Sequence, residues 1–149
     1  MPSTRRTRRT PAASIRTLER ALGTLTVAAP PEDVVRRRAE ALIEHLRSVR
    51  VAILVANNRA RYVDANRLAS MLTGYSRREL TGKSLWDLTP TPNRVVGMRL
   101  WRGFLKRGRM AGEYDLRRKD GTIITAKYLA IANVLPGVHV SALTRSRIR

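Results

Sequence analysis

The sequence predicts an α+β domain in which short helices and one longer helix cover one face of a five-stranded antiparallel sheet, preceded by an amphipathic amino-terminal helix. Three observations predict this fold. Two short strand-like segments flank Asn57-Asn58, which is typical of a hairpin turn. Several short helical segments follow. The last part of the chain then alternates apolar and polar side chains around two turn signals, Asp120-Gly121 and Pro136-Gly137.

Residues 1–31 are predicted to form a basic, flexible arm and linker. The first ten residues contain four arginines and no acid, and like charges at that density repel one another. Pro30-Pro31 closes the segment, because consecutive prolines cannot continue a helix. The arginine-rich, acid-poor start also resembles an organellar transit peptide, and that alternative stays open. The candidate residues for contact with nucleic acid or another anion are Arg5, Arg6, Arg8 and Arg9.

Residues 32–50 are predicted to form an amphipathic signalling or dimerisation helix. Glu32 and Asp33 lie in its first turn, where carboxylates interact favourably with the positive end of the helix dipole. Apolar residues then recur at alternating steps of four and three, which is a heptad seam. The helix either docks on its own domain or pairs with a second chain, and the sequence leaves both open. The seam consists of Val35, Ala39, Leu42, Leu46 and Val49.

A hairpin and a helix open the domain that is predicted for residues 51–144. Val51–Ala56 is apolar and rich in β-branched residues, and Ala60–Asp64 alternates, so both are predicted strands. Ala65–Thr73 has apolar residues at helical spacing. It ends at Gly74, a typical residue to follow a helix.

Short helical elements fill the middle of this domain. Ser76 and Glu79 have the spacing of a capping box, in which the two side chains accept hydrogen bonds reciprocally from backbone amides. Ser84–Leu88 predicts a single helical turn after Gly82 interrupts the chain. Val95–Lys106 predicts the longest helix of the second half, because its apolar residues form one broad face.

Three strands are predicted to complete the domain. Met110–Arg118 alternates apolar and polar residues, and Ile123–Ile131 is long and β-branched. Asp-Gly between them tolerates the positive φ of a tight turn. Val138–Leu143 closes the set, and residues 145–149 are predicted to be a basic tail.

Net charge is the most unusual property of the composition. The 149 residues include 30 Lys+Arg against 11 Asp+Glu, which gives a formal charge of +19. Such an excess attracts anions such as nucleic acid, acidic lipid or acidic proteins. Only four of the 30 basic residues are lysine, and so strong a preference for arginine is also typical of a GC-rich coding genome. Composition leaves both interpretations open.

The composition also excludes several classes of protein. The longest purely apolar run, Val51–Ala56, is far shorter than the roughly 20 residues that a transmembrane helix needs. The chain has no cysteine, which excludes a disulfide scaffold, a cysteine-ligated metal site and a thiol nucleophile. No apolar stretch follows the arginine pairs as a secretory signal would require, and we expect a cytoplasmic protein.

Three blocks of sequence occur in a characteristic order. Asp64-Ala65-Asn66 precedes a helix and the run Gly74–Ser84, Gly112–Gly121 forms a hairpin, and Asn133–Gly137 precedes the last strand. Together they resemble a PAS domain, the small sensor module of signalling proteins, over about residues 42–144. The resemblance implies a five-stranded antiparallel sheet with helices over one face, in agreement with the order of elements above.

The blocks themselves call for structural rather than chemical roles. Glycine at a sharp turn avoids the backbone strain that a side chain would cause. Asn66 directly follows the second strand and is expected to hydrogen-bond to the backbone, so that it holds strand and helix together. The structural motif residues are Asn66, Gly74, Gly82, Asp120 and Gly121.

The resemblance also indicates which cofactors to consider. Light-sensing members of the family bond flavin or a cinnamoyl pigment to a cysteine, and this chain has none, so cysteinyl flavin is not expected. Haem-binding members use a histidine on the long helix, and Val95–Lys106 contains none, so histidine-ligated haem is not expected. His45 and His139 are interpreted as surface or edge residues rather than metal ligands. A noncovalently bound flavin is compatible with the sequence.

No catalytic grouping stands out. Glu113 and Asp115 share one strand face, a spacing compatible with paired carboxylates, but basic residues on neighbouring strands explain them equally well. No phosphate-binding glycine loop or kinase motif follows Thr144, so no output domain is expected. We therefore expect that the protein is not an enzyme.

The expected function is a stand-alone sensory module that binds a small ligand or a protein partner and relays its state through residues 32–50. The expected partner is a second copy of the chain or a separate signalling protein. The alternative is a nucleic-acid-associated transcription regulator that uses the arginine-rich arm and the basic surface. If they are not simply solid core, the residues expected to line a ligand pocket are Leu72, Leu85, Trp86, Met98, Trp101, Phe104 and, as a polar contact, Tyr114.

Overall fold

The computed structural model describes residues 15–18, 20, 30–90 and 94–146, with the backbone alone for Arg94. Residues 15–18 and 20 are helical. Within these ranges, the helices lack the combination of length and hydrophobicity that a membrane span requires. The predicted anion-binding arginines and the end of the basic tail lie outside the described residues, namely Arg5, Arg6, Arg8, Arg9 and residues 147–149.

The described residues from Pro30 onward form four α-helices, one 3-10 turn and five strands, which confirms the predicted α+β class. The first helix ends at His45 rather than Arg50, because the chain turns there to enter the sheet, with the Val49 amide donating to the Leu46 carbonyl at 2.9 Å. In chain order the elements are α1 (Glu32–His45), β1 (Ala52–Ala56), β2 (Tyr62–Ala65), α2 (Arg67–Thr73), α3 (Arg77–Leu80), the 3-10 turn (Leu85–Leu88), α4 (Arg94–Arg107), β3 (Arg109–Arg117), β4 (Ile123–Leu135) and β5 (Val138–Arg145).

The five strands form one antiparallel sheet in the order β2-β1-β5-β4-β3. The last strand along the chain therefore lies at the centre of the sheet, between β1 and β4. Its first residues face the end of β1, where His139 is opposite Ala56. The pairing of β4 with β5 is interrupted between Ile131 and Leu135, where Asn133 adopts a left-handed φ of +51°.

Strand alternation divides the sheet into two faces. Residues such as Leu54, Leu116 and Ala126 point to an inner face and are completely or almost completely buried. The elements α2, α3 and α4, together with the 3-10 turn, cover that face. The main hydrophobic core lies between them and the sheet.

Helix α1 packs on the opposite, outer face of the sheet. Val35 and Ala39 are 5% and 0% exposed, and they form a second core cluster with Ile53, Val55 and Val138. The heptad seam is therefore used within the chain, as in the interpretation that the helix docks on its own domain. Burial decreases along the rest of the seam. Leu42 and Leu46 are partly buried, and Val49 at its end is 42% exposed.

Candidate functional site

Asn66 joins the first strand to the helix that follows the hairpin. Its side-chain oxygen accepts hydrogen bonds from the amides of Ile53 and Ala69, both at 2.9 Å, and thereby caps α2. Its side-chain nitrogen donates to the carbonyl of Val51 at 2.8 Å. One side chain thus fixes the position of α2 on β1, because each of its polar atoms is bound to backbone.

Gly74 lies where two distant segments of the chain meet. Gly74 ends α2 with a left-handed φ of +78°, and the neighbouring Thr73 carbonyl accepts from the Lys119 amide at 2.9 Å. The Lys119 ammonium lies 2.7 Å from Glu79, and this contact, together with the Ser76 backbone amide, lowers the pKa of Glu79 to about 2. The β3–β4 turn is thereby attached to the helical layer.

A cavity of about 230 Å³ lies between the inner face of the sheet and α4. All five strands, the 3-10 turn and α4 contribute to its walls, which are mainly apolar and aromatic. Tyr114 and Tyr128 form an edge-to-face pair on one side, with ring centroids 5.3 Å apart. The lining residues are Ala56, Tyr62, Leu85, Thr89, Leu100, Trp101, Phe104, Met110, Tyr114, Tyr128, Ala130, His139, Val140, Ser141 and Leu143.

Of the seven residues proposed from sequence for a pocket, the structure brings four together at this cavity: Leu85, Trp101, Phe104 and Tyr114. The other three lie elsewhere. Leu72 packs into the core from α2, and Met98 is 37% exposed on the flank of α4. The ring of Trp86 occupies the space left by Gly97, where a β-carbon would be 3.1 Å from the ring.

His139 is a cavity residue that the sequence interpretation placed wrongly at the surface or edge. Its side chain is only 2% exposed, and its ring meets Trp101 edge-on at 5.3 Å between centroids. Its signal in the sequence was the alternation of β5, which puts His139 in phase with Ser141 and Leu143 on the inner face. The other histidine, His45, is exposed as expected.

Both ring nitrogens of His139 are engaged. Nδ1 accepts from the Asn133 amide at 3.0 Å, and Nε2 lies 2.8 Å from the side-chain oxygen of Asn58. Because a backbone amide can only donate, Nδ1 carries no proton and Nε2 donates to Asn58. Burial lowers the pKa of His139 to about 4, so the ring is neutral at physiological pH.

The hydroxyls of Tyr62 and Tyr114, which also line the cavity, are uncharged as well. Burial is the main cause that raises the pKa of Tyr114, and it raises that of Tyr62 well above the ordinary value. Among the described residues that line the cavity, none carries a charge at neutral pH. The site therefore favours a neutral molecule, because a buried ion would lack a compensating partner.

The sequence pattern of the PAS domain family matches residues 50–140. The chain belongs to the PAS domain family. Its members are generally sensory modules. No curated protein sequence matches the chain.

Solved PAS domains share the fold at low sequence identity. One from Colwellia psychrerythraea is 21% identical, with a TM-score of 0.59, over 78% of this chain and 99% of its own. One from a HTR-like protein of Haloarcula marismortui is 18% identical, with a TM-score of 0.59, over 74% and 99%. The PAS domain of a transcriptional regulator in the LuxR family from Burkholderia thailandensis, in complex with ethanol, is 18% identical, with a TM-score of 0.54, over 65% and 89%.

The cavity of this PAS domain does not suit the cofactors considered from the sequence. Ligand pockets for drug-sized molecules are typically about 300 Å³ or more, and at about 230 Å³ this cavity is too small for a flavin nucleotide. His139 would have to give up Asn133 or Asn58 to offer a ring nitrogen to haem iron. Among the described residues, no group of three His, Cys, Asp or Glu side chains is placed to hold a metal ion.

The two carboxylates considered for catalysis lie on the other side of the sheet. Glu113 and Asp115 are exposed on the outer face of β3, opposite Lys127 and Thr125 of β4. The Thr125 hydroxyl donates to Asp115 at 3.0 Å. Cross-strand pairing thus explains both residues, and neither borders the cavity.

Proposed function

We propose that this PAS domain is a sensory module whose cavity binds a small, neutral and mainly apolar molecule. The observation that carries the proposal is the uncharged cavity between the sheet and α4, with a neutral histidine in its wall. The relative from Burkholderia thailandensis, with ethanol bound, supports a small neutral ligand. Trp101 and Phe104 provide aromatic surface in the cavity, and the hydroxyl-bearing residues of its lining include Ser141. Binding then changes the balance between conformations of the domain.

The experiment is a titration with 4-fluorobenzyl alcohol, a neutral aromatic alcohol, followed by its ¹⁹F NMR signal. We expect the signal to broaden or shift with the unaltered protein. Ser141→Leu places extra side-chain volume in the cavity and should abolish the response, because a filled cavity has no room for the ring. Met98→Leu, on the flank of α4, is the matched control and should bind normally. Equal binding by the Ser141 and Met98 variants would place the ligand outside the cavity.

The second part of the proposal concerns the partner. PAS domains often mediate dimerisation or contact with another protein, and we propose a second copy or a separate signalling protein for this one. The predicted seam on α1 is mostly buried against the sheet and is not available to a partner. A partner would therefore bind to other residues. Apolar side chains remain exposed on or beside the outer face beyond α1, including Ile123 at 56% and Ile131 at 38%. If two copies of the chain pair through this face, Ile131→Lys should have a lower native mass than the unaltered protein.

A nucleic-acid-associated regulator is the second candidate function, supported by the placement of arginine. Grooves border both ends of α1, and arginine is the main charged residue in each. Guanidinium groups suit phosphate oxygens, and such contacts carry no sequence information. Binding to random duplex DNA that weakens steeply with salt would support this function, and no binding at low salt would remove it. The arginines are Arg47, Arg50, Arg67 and Arg77 at one end, and Arg36, Arg59 and Arg61 at the other.

A further inference from the structure

The turn between β4 and β5 holds the start of α1. Gly137 has a left-handed φ of +77°, and a β-carbon on it would lie only 2.6 Å from Cγ of Pro30 and 3.6 Å from Cγ2 of Val35. The Arg38 guanidinium donates to the carbonyl of Pro136 at 2.6 Å. The backbone of the turn and the start of the helix are therefore in direct contact, with no free volume between them.

The same turn is tied to the wall of the cavity through Asn133. Its backbone amide donates to Nδ1 of His139 at 3.0 Å, and its side-chain oxygen accepts from the Gly137 amide at 3.2 Å. Asn133 thus connects the buried ring to the glycine that contacts α1. Its left-handed backbone, at the interruption of the β4–β5 pairing, places both groups in reach of their partners.

We propose that occupancy of the cavity is transmitted to the start of α1 through His139, Asn133 and Gly137. This inference rests on the proposed function, since it needs a ligand in the cavity. A molecule against Trp101 and Phe104 displaces rings that contact the His139 ring at 5.3 and 6.3 Å between centroids. The ring keeps its hydrogen bond only if Asn133 follows it.

Because of the tight contact at Gly137, the start of α1 is the end of the helix that moves when the β4–β5 turn moves. Because Gly137 has no room to move toward Pro30, a displacement of the turn must shift α1 or break the contact. The other end of α1 is joined to β1 through residues 47–50, whose exposed side chains leave this connection free to absorb a movement. Asn133 acts here as a positioning residue.

Two variants separate this route from a general effect of binding. Asn133→Gly keeps the backbone amide and tolerates the left-handed conformation, but removes the side-chain link to Gly137. Asn133→Asp keeps an oxygen in that place and is the matched control, since Asp also tolerates this conformation. Asn133 is not among the residues that line the cavity, so neither substitution replaces a side chain of its wall.

Occupancy and response are measured separately in one sample. The ¹⁹F signal of 4-fluorobenzyl alcohol reports occupancy, and the ¹H–¹⁵N signals of the Val35 and Ala39 amides report α1. We expect both to change in the unaltered protein and in Asn133→Asp, whereas Asn133→Gly binds the alcohol with the amide signals unmoved. Equal amide shifts in Asn133→Gly, or binding to the unaltered protein without any shift in α1, would overturn the route and leave the binding proposal intact.

Absence of any ¹⁹F response would instead contradict the proposed function for this class of ligand. The route is then decided without ligand by Phe104→Leu, which removes an aromatic contact of His139. That substitution should shift the α1 amides in the unaltered and Asn133→Asp backgrounds, and not in the Asn133→Gly background. The same shift in all three backgrounds would overturn the route.

Discussion

Acidification from about pH 7 to about pH 5 should destabilise this PAS domain through one buried side chain, His139. Its pKa is lowered from 6.5 to about 4, mainly by burial. Below about pH 6.5 the unfolded chain takes up a proton at this ring and the folded chain does not, so stability falls as the pH falls. Each pH unit in this window corresponds to about 1.4 kcal/mol, and the step down to about pH 5 therefore costs about 2 kcal/mol.

Urea unfolding followed by circular dichroism at the two pH values measures this cost. The unaltered protein and the control variant His45→Gln, at the exposed histidine, should each lose about 2 kcal/mol of unfolding free energy. His139→Gln has no titrating ring and should lose much less. Staying above about pH 5 avoids most of the titration of carboxylates such as Glu79, whose pKa is lowered in the fold from its ordinary value of 4.5 to about 2. An undiminished loss in His139→Gln would refute the assignment of the effect to this ring.

Three further substitutions test the contacts that build the fold. Asn66→Ala should lower the free energy of unfolding by about 3 kcal/mol, because it removes a helix cap and two further bonds, to the backbone of Ile53 and Val51. Urea unfolding measures this loss, and a loss below about 1 kcal/mol would contradict the joining role of Asn66. Arg77→Ala leaves Asp64, which is 3% exposed, without its bidentate partner and should cost about 3 kcal/mol, whereas the exposed neighbour Arg78→Ala should stay within about 0.5 kcal/mol. Gly137→Ala should lower the melting temperature and increase amide hydrogen exchange in α1, since both the positive φ and the contact at 2.6 Å oppose a β-carbon; unchanged exchange would show that α1 does not depend on this contact.

The order of strands and helices was readable from the sequence because it depends on local signals. Each of these signals depends only on residues close together in the sequence. Examples are the alternation in β3 to β5, the capping box at Ser76 and the turn at Asp120-Gly121. The position of α1 was not readable in the same way. A heptad seam indicates only that one face of the helix is apolar. It does not indicate which residues cover that face, because strand residues such as Ile53 and Val138 are distant from the helix in the sequence.

The cavity was predictable only in part, since its walls depend on how α4 rotates over the sheet. Trp101 and Phe104 face the sheet, whereas Met98 lies on the flank of the helix. Trp86 turned away because a glycine on α4 left space for its ring. His139 was misplaced because histidine is common at surfaces, and its inward phase in β5 was the stronger signal.

Because α1 docks on the outer face of the sheet, a protein fragment must include this helix if the domain is to fold as a unit. A fragment trimmed to the family match at residues 50–140 would lose that helix and also cut β5 short. Ile53 and Val55 would then be exposed to solvent. They would form an apolar surface through which chains can aggregate. Expression should accordingly begin no later than Pro30 and extend through Ser146.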